Sequence, residues 1–231
     1  MSEQTGTTGG GKVAIMARIR RSLHTPADDT GRQAAVDSRI ARHEAGLIPK
    51  RGDGDAAART ALFRKMMEYA SASVAEVDSA DQVPAAVAAY LKSNNLPAQI
   101  RHGDDPAVAG LDWSSQPMLE VGTGRAAPTD PTSVSAAFCA VSESGTVFLN
   151  SGADNPTTLN FLPENHIVVL RAADIEGNFE ACFTRLRTKF GAGQMPRVLN
   201  MISGPSRTGD IEQTILLGAH GPKRMHIIIV R

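Results

Sequence analysis

The stretch ISGPSRTGDIEQTILLGAHGPKRMHIIIV at residues 202–230 decides the fold, because it ends in an unbroken aliphatic run at 227–230. A second run of the same kind, IVVL, occupies residues 167–170. Continuous aliphatic runs are typical of strands that are buried on both faces of a parallel sheet. Between such runs the chain alternates short apolar segments with helical patterns. We therefore predict an α/β fold with a Rossmann-like, largely parallel sheet.

The first half of the quoted stretch resembles an anion-binding loop. Glycine, proline and hydroxyl residues crowd into residues 203–208, where backbone N–H groups can face a ligand. Asp210 and Gln213 have the spacing of a capping box, which predicts that a helix begins here and ends at Gly218. The apolar stripe of this predicted helix comprises Ile211, Ile215 and Leu216. The positive end of its dipole would add to the attraction for an anion.

Outside this stretch, three regions differ in character. Residues 1–11 are rich in glycine and threonine and are predicted to be disordered. Residues 12–68 form a predicted N-terminal helical extension, with helices at 12–23, near 32–45 and from Asp55 onward. Residues 69–231 form the predicted α/β domain. Its strands are expected near residues 73–77, 98–101, 117–121, 135–141, 145–149, 166–170 and 225–230.

Two amphipathic helices are predicted in detail. A capping box at residues 79–82 starts a crossover helix. The buried stripe of this helix comprises Val83, Val87, Tyr90 and Leu91. The helix at 12–23 presents its own apolar stripe, formed by Ile15, Met16, Ile19 and Leu23. Because this stripe precedes the sheet domain, we expect it to pack on a partner subunit or on a second copy of the chain.

The charge balance gives no sign of a polyanionic partner. The 231 residues carry 24 basic and 24 acidic side chains, without long blocks of either sign. Neither nucleic acid nor an anionic membrane surface is indicated. No apolar segment approaches the roughly 20 residues needed to span a bilayer, and the N-terminus lacks the apolar core of a signal peptide. The cytoplasm is the expected compartment.

Cysteine and histidine usage argues against a metal site or cofactor on this chain. Only Cys139 and Cys182 are present, without a CxxC motif, so the chain cannot supply the four ligands of an iron–sulfur cluster. Cys182 lies on the apolar stripe of a predicted helix at 179–190, and Cys139 follows an apolar run, so both should be buried. The six histidines show no metal-ligand spacing.

The loop SESGT at residues 142–146 is the second candidate part of a site. One interpretation is a β-turn whose hydroxyls satisfy local backbone groups. The other is a substrate-facing edge shared with the 203–212 loop, at the carboxyl ends of the strands where open α/β sheets bind ligands. In that case Glu143 and His220 are the candidate catalytic groups. The candidate anion-binding residues are Ser144, Gly145, Thr146, Ser203, Gly204, Ser206, Arg207, Thr208 and Asp210.

Arg207 and His220 each allow two interpretations. The Arg207 guanidinium can grip a carboxylate or phosphate through two parallel hydrogen bonds, or it can form a structural salt bridge with Asp210 or Glu212. His220 can carry a proton near neutral pH, or it can be a turn residue with a satisfied backbone contact. Nucleophilic catalysis by Ser203 or Ser206 is not indicated, because neither lies in a GxSxG nucleophile elbow.

Several of these segments resemble a known family. The motifs ISGPSRTGDIE at 202–212, LGAHGP at 217–222, SESGTVFLN at 142–150 and LPENHIVVL at 162–170 are similar to those of the LUD domain of lactate utilization protein C (LutC) and its relatives. The resemblance extends from the helix KVAIMARIRRSL at 12–23 to the last strand. One departure is Glu-Ser-Gly-Thr at 143–146, where the family usually has Glu-Thr-Gly-Thr.

The resemblance carries implications for fold and function. It implies a fold of the group that includes ribose-phosphate isomerase, glucosamine-phosphate deaminase and CoA-transferase. It further implies an accessory or substrate-binding subunit of a system that oxidises L-lactate to pyruvate, with iron–sulfur clusters on two partner proteins. Two alternatives remain open: a free-standing enzyme in which Glu143 acts as in the CoA-transferases, and a regulatory module that binds a small carboxylate or sugar phosphate.

Overall fold

The computed structural model describes residues 9–24, 26, 28–211 and 214–231. Their contacts divide the chain into two compact units, residues 1–46 and 47–231. The first unit contains α1 (Gly9–Ser22) and α2 (Thr30–Arg42). The prediction of a disordered tail at 1–11 is wrong at the end of that range, because α1 begins at Gly9. Residues 1–8 lie outside the described part of the chain.

The second unit begins with a helix that the sequence pattern placed in the N-terminal extension. This helix, α3 (Ala56–Tyr69), starts where the Asp55 side chain accepts a hydrogen bond from the Ala58 N–H at 2.8 Å. Its residues Phe63 and Met67 are fully buried in the core of the sheet domain. By these contacts α3 belongs with the sheet, whereas the predicted boundary lies at residue 68.

The remaining elements alternate as an α/β fold requires. The helices are α4 (Val83–Ser93), α5 (Pro106–Ala109), α6 (Thr158–Phe161) and α7 (Phe179–Phe190). The first six strands are β1 (Ser73–Val77), β2 (Gln99–His102), β3 (Glu120–Thr123), β4 (Thr132–Ala136), β5 (Cys139–Val141) and β6 (Thr146–Asn150). The others are β7 (Asn165–Arg171), β8 (Ile175–Glu176), β9 (Leu199–Ile202), β10 (Arg207–Ile211), β11 (Thr214–Leu217) and β12 (Arg224–Val230).

The main sheet is parallel throughout, in the order β1-β12-β7-β4-β2-β3. The two aliphatic runs are neighbours at its centre, since Ile227 pairs with Val168. Alternate residues of each run enter different cores: Val168 and Leu170 face α3, and Ile167 and Val169 face α4. The prediction of strands buried on both faces is confirmed.

A smaller sheet in the order β8-β5-β6-β9 forms a further layer. Between it and α7, both cysteines are fully buried, as predicted. The single strand predicted at 135–141 is wrong, because the chain changes sheets within it. The Ala137 N–H donates to Val169 O in the main sheet, and the next N–H, of Phe138, donates to Phe148 O in the smaller one.

One predicted side-chain cap and one predicted helix are also wrong. The Ser79 side chain forms no cap hydrogen bond. The Gln82 side chain accepts instead from the N–H of the preceding residue, Asp78, at 3.0 Å. The helix predicted from Asp210 to Gly218 is an antiparallel hairpin, in which β10 pairs with β11. Gln213, the second half of its predicted capping box, lies outside the described residues. Pairing of Arg207 with Leu217 and of Thr208 with Leu216 satisfies the backbone as a ladder instead.

Candidate functional site

A cavity of about 240 Å³ opens where β7 and β12 begin. His166 and Met225, each the second residue of its strand, form its floor. The loop after β9 and the loop before β12 form its sides, and the end of α6 closes it. The other lining residues are Asn160, Phe161, Ile202, Gly204, Pro205, Ser206, Arg207, His220, Gly221 and Pro222.

The cavity lies at the amino ends of the parallel strands, so the predicted location at their carboxyl ends is wrong. The reason is the strand that precedes the loop: β9 belongs to the smaller sheet and runs antiparallel to β6. The loop after β9 therefore returns to the start of β12, where the Ser206 N–H donates to Pro222 O at 2.8 Å. No helix begins within the described residues 203–211, so the predicted dipole contribution is wrong as well.

Ser206 joins the two loops that flank the cavity. Its carbonyl oxygen accepts from the Gly218 N–H at 2.9 Å, and its hydroxyl oxygen accepts from the His220 N–H at 3.2 Å. Since a hydroxyl can accept and donate at once, the Ser206 O–H proton stays available to a ligand. Gly204 turns the chain with φ +106°, and an added Cβ would lie 2.9 Å from Ala70 O. Only glycine fits this turn without strain.

His166 is the polar group most deeply placed in the cavity. It is 1% exposed, and its Nε2 lies 3.1 Å from the Ser135 hydroxyl, whose own oxygen lies 3.4 Å from Asn160 Oδ1. The other ring nitrogen, Nδ1, is buried without a hydrogen-bond partner among the described residues. Burial lowers the pKa of His166 to about 4, so the ring is uncharged at neutral pH.

Arg207 lines the cavity, but its guanidinium has structural partners. Its Nη2 donates to Ala70 O, just beyond the end of α3, and to Ser71 Oγ at 2.5 Å. Neither interpretation from the sequence included this contact. The predicted alternative partner Glu212 lies outside the described residues. Arg207 therefore ties the cavity loop to the segment between α3 and β1.

The two predicted loops do meet, through a chain of hydroxyl groups. Thr146 Oγ1 lies 2.7 Å from both Ser144 Oγ and Ser203 Oγ. These three residues are beside the cavity and not among those that line it. Gly145 makes a close approach to α3, because an added Cβ would lie 2.8 Å from Met66 Cβ. Residues 142–145 form the turn of the first interpretation, but their hydroxyls do not bond local backbone groups, since the Ser142 hydroxyl donates to Gly177 O at 3.3 Å.

The remaining predicted residues are dispersed. Glu143 is 5% exposed, lies outside the cavity lining and has a carboxylate oxygen, Oε2, without a partner in the described part of the chain. Thr208 is buried in β10, and Asp210 is in the same strand. His220 does line the cavity, with an exposed side chain. Of the two candidate catalytic groups, only His220 reaches this space.

His166 and Asn160 were not predicted as site residues. The available signal for His166 was its position, because a histidine directly before the aliphatic run at 167–170 must be buried with that strand. A buried imidazole requires a partner or a ligand. Asn160 lies in a four-residue helix whose pattern is too short to detect in a sequence.

The arrangement suits a small molecule with one apolar and one polar side. Phe161, Pro222 and Met225 offer an apolar wall, and the rings of His166 and His220 with the Ser206 hydroxyl offer hydrogen bonds. In the described part of the chain, no group of three or more histidine, cysteine, aspartate or glutamate side chains is placed to hold a metal ion. No helix there is both long and apolar enough to cross a bilayer.

The comparisons with known proteins identify the family. The LUD domain model matches residues 60–230, which include the whole parallel sheet, and the chain belongs to this family. The match begins inside α3, consistent with the packing of that helix in the sheet domain.

Three curated relatives illustrate the similarity. Lactate utilization protein C of Shouchella clausii is 32% identical over 90 residues, which is 39% of each chain. The uncharacterized protein YkgG of Escherichia coli is 41% identical over 91 residues, 38% of this chain and 39% of the relative. The uncharacterized protein NMB1437 of Neisseria meningitidis is 29% identical over 145 residues, 61% of each chain. The matched region spans about two fifths of the first two relatives.

One solved structure supports the fold. A DUF162 family protein from Deinococcus radiodurans aligns with a TM-score of 0.58 and 21% identity, covering 78% of this chain and 100% of the other. At this identity the likeness concerns the fold alone. The predicted class of fold, a largely parallel α/β sheet with N-terminal helices, is confirmed.

Proposed function

We propose that this chain is the substrate-binding subunit of an iron–sulfur system that oxidises L-lactate to pyruvate, and that it holds the small carboxylate in the cavity beside His166. The observation that carries the proposal is a cavity of about 240 Å³ lined by the buried His166, whose Nδ1 has no hydrogen-bond partner among the described residues. That volume is below the roughly 300–1,000 Å³ of sites for drug-sized ligands, which favours a molecule of a few atoms.

The lining matches a 2-hydroxy acid group by group. An uncharged His166 ring can exchange one hydrogen bond with the hydroxyl of lactate or the carbonyl of pyruvate. In this proposal His220 and the Ser206 hydroxyl, which both line the cavity, bind the carboxylate. The apolar wall of Phe161 and Met225 accommodates the methyl group. The names of relatives such as lactate utilization protein C in Shouchella clausii support this choice of substrate.

The chemistry of lactate oxidation assigns the electrons to other proteins. Removing two electrons from lactate requires an acceptor, and the two cysteines of this chain are both buried and separate from the cavity. The proposed acceptors are two iron–sulfur lactate utilization proteins. Glu143 is not favoured as an independent nucleophile, because it is 5% exposed and lies outside the cavity.

Calorimetric titration with L-lactate and pyruvate tests the binding site. His166→Phe should weaken binding at least tenfold, since it removes a desolvated hydrogen bond while keeping an aromatic ring. His226→Phe is the matched control, because His226 is also a buried histidine bonded to a serine but lies outside the cavity lining. Absence of saturable binding to the wild-type protein, or equal affinities of both variants, would disprove the site.

The accessory role has a separate test. The isolated chain should show no flavin or iron–sulfur absorption, and cluster absorption should appear when it is purified together with two iron–sulfur lactate utilization proteins. A stoichiometric chromophore that stays with the isolated chain through gel filtration would overturn this role.

A further inference from the structure

Two arginines from distant parts of the chain border a second depression, of about 580 Å³. Arg125 follows β3 and Arg197 precedes β9. Ser151, Gly152, Thr157 and Thr158 also line the depression, and it shares no lining residue with the cavity beside His166. It is therefore a depression distinct from that cavity, and a ligand site there does not rest on the proposed function.

Neither arginine has a counter-ion among the residues that the structure describes. Both side chains are exposed, and within the described ranges neither guanidinium forms a salt bridge or hydrogen bond. Other arginines of this unit are paired with carboxylates, for example Arg101 with Asp130 at 2.6 Å and Arg185 with Glu176 at 3.0 Å. Two unpaired guanidinium groups at one depression concentrate positive charge there.

Two hydroxyl groups in the depression each accept a hydrogen bond from a backbone N–H. Ser151 Oγ accepts a hydrogen bond from the Val198 N–H at 3.0 Å, and Thr158 Oγ1 accepts one from the Ala126 N–H at 3.1 Å. Because each oxygen is fixed by a backbone donor, its own O–H proton is left to donate elsewhere. The lining thus combines two guanidinium groups with two hydroxyl groups, and none of its described residues is acidic, although the Asp154 carboxylate lies beside Gly152.

The depression also lies where α/β sheets bind ligands. Arg125 comes two residues after the carboxyl end of β3, and Asp154 O accepts from the Asp105 N–H at 3.1 Å just beyond β2. The carboxyl ends of parallel strands are the usual ligand-binding edge of such sheets. His102 and Thr123, the last residues of β2 and β3, are level with Ile167 of β7, so the depression and the cavity beside His166 flank the same short helix, α6.

We propose that this depression binds a phosphate-bearing small molecule, with Arg125 and Arg197 each gripping phosphate oxygens through paired N–H donors. A volume of about 580 Å³ exceeds what inorganic phosphate needs and falls within the roughly 300–1,000 Å³ of small-molecule sites. The chemistry therefore fits a phosphate ester or a nucleoside diphosphate.

Calorimetric titrations of the full chain at low salt with inorganic phosphate, pyrophosphate and adenosine diphosphate test the proposal. We expect saturable binding, tighter for the two diphosphates than for phosphate. Arg125→Ala and Arg197→Ala should each weaken it at least tenfold, because each removes a charge-assisted contact. The matched control is Arg51→Ala, which changes an exposed arginine outside the depression. Tighter binding of adenosine diphosphate than of pyrophosphate would identify a nucleotide.

Amide chemical shifts give a second readout that needs no arginine variant. Pyrophosphate should shift the N–H signals of Gly152 and Val198, and the His166→Phe variant should bind it as the wild-type protein does. Absence of saturable binding by all three probes, or wild-type affinity in both arginine variants, would overturn the proposal.

Discussion

His166 and His226 lie on neighbouring strands and serve opposite sides of the same sheet. His166 pairs in register with Met225 and reaches the cavity. His226, one residue further along, stacks on Tyr90 of α4 with ring centroids 4.1 Å apart, and its Nδ1 lies 2.8 Å from Ser73 Oγ. Burial lowers the pKa of both rings to about 4. The same residue type therefore supports a cavity on one face and fills a core on the other.

These two histidines predict a loss of stability in mild acid. The unfolded chain protonates them near pH 6.5, and the folded chain does so only near pH 4, so acid favours the unfolded state within that interval. The free energy of unfolding should fall by about 2 kcal/mol per histidine between pH 7 and pH 5. Urea unfolding at both pH values measures it, and His226→Phe should show about half the loss. Equal stability at the two pH values would contradict the burial of uncharged rings.

Because Arg207 has structural partners, its replacement should lower stability as well as ligand binding. Arg207→Ala removes the hydrogen bonds to Ala70 O and Ser71 Oγ, so the free energy of unfolding should fall by about 1 kcal/mol. Lactate binding should weaken as well, because the cavity loop loses its tie to α3. Thermal unfolding and calorimetry on the same samples separate the two effects. A variant of wild-type stability with lost binding would show that the guanidinium serves the ligand alone.

At the scale of elements, the hairpin β10–β11 is the segment for which the sequence pattern predicted a helix. Ile211, Ile215 and Leu216 have helical spacing, yet a segment this short fits a helix and a hairpin equally well. The bulge between Thr208 and Ile211 further blurs the alternation expected of a strand. Pairing between β10 and β11 decided the outcome, and single-sequence periodicity contains no information about a pairing partner.

Other elements were predictable because their signals are strong and local. The aliphatic runs placed β7 and β12, and Asp55 marked the start of α3 through a side-chain cap that the structure contains. The hydroxyl contact between Thr146 and Ser203 agrees with the expectation that the two loops meet. The cavity itself was not predictable in detail, because its floor comes from residues of two strands that are distant in sequence.

The turn at Gly204 should be intolerant of any side chain. Gly204→Ala places a Cβ 2.9 Å from Ala70 Cβ at a φ of +106°, and it should lower the free energy of unfolding by about 1–3 kcal/mol. Gly209→Ala is the control, since an added Cβ there meets nothing within 4 Å and should change stability by less than about 0.5 kcal/mol. Similar urea midpoints for the two variants would contradict the strain at residue 204.

At the scale of the whole molecule, the described part of the N-terminal unit exposes apolar side chains. In α1, the stripe residue Ile15 is 61% exposed, and Leu23, just beyond the helix, is 65% exposed. Such a face favours association with a second copy or a partner subunit. Deleting residues 1–26 should reduce the assembled mass or partner affinity, measured by light scattering after gel filtration, while the second unit keeps its melting temperature. Arg18→Ser, on the polar side of α1, is the control. Unchanged assembly after the deletion would contradict this role.

The position of β12 between β1 and β7 has a consequence for biosynthesis. β1 ends at Val77, and its neighbour in the sheet begins only at Arg224. While the ribosome makes the intervening residues, β1 lacks the strand that pairs with it, and the apolar faces later covered by β12 stay open to other chains. Contacts this distant in sequence form slowly and leave nascent chains prone to aggregation. Chaperone engagement should therefore be strongest before residue 230 leaves the exit tunnel.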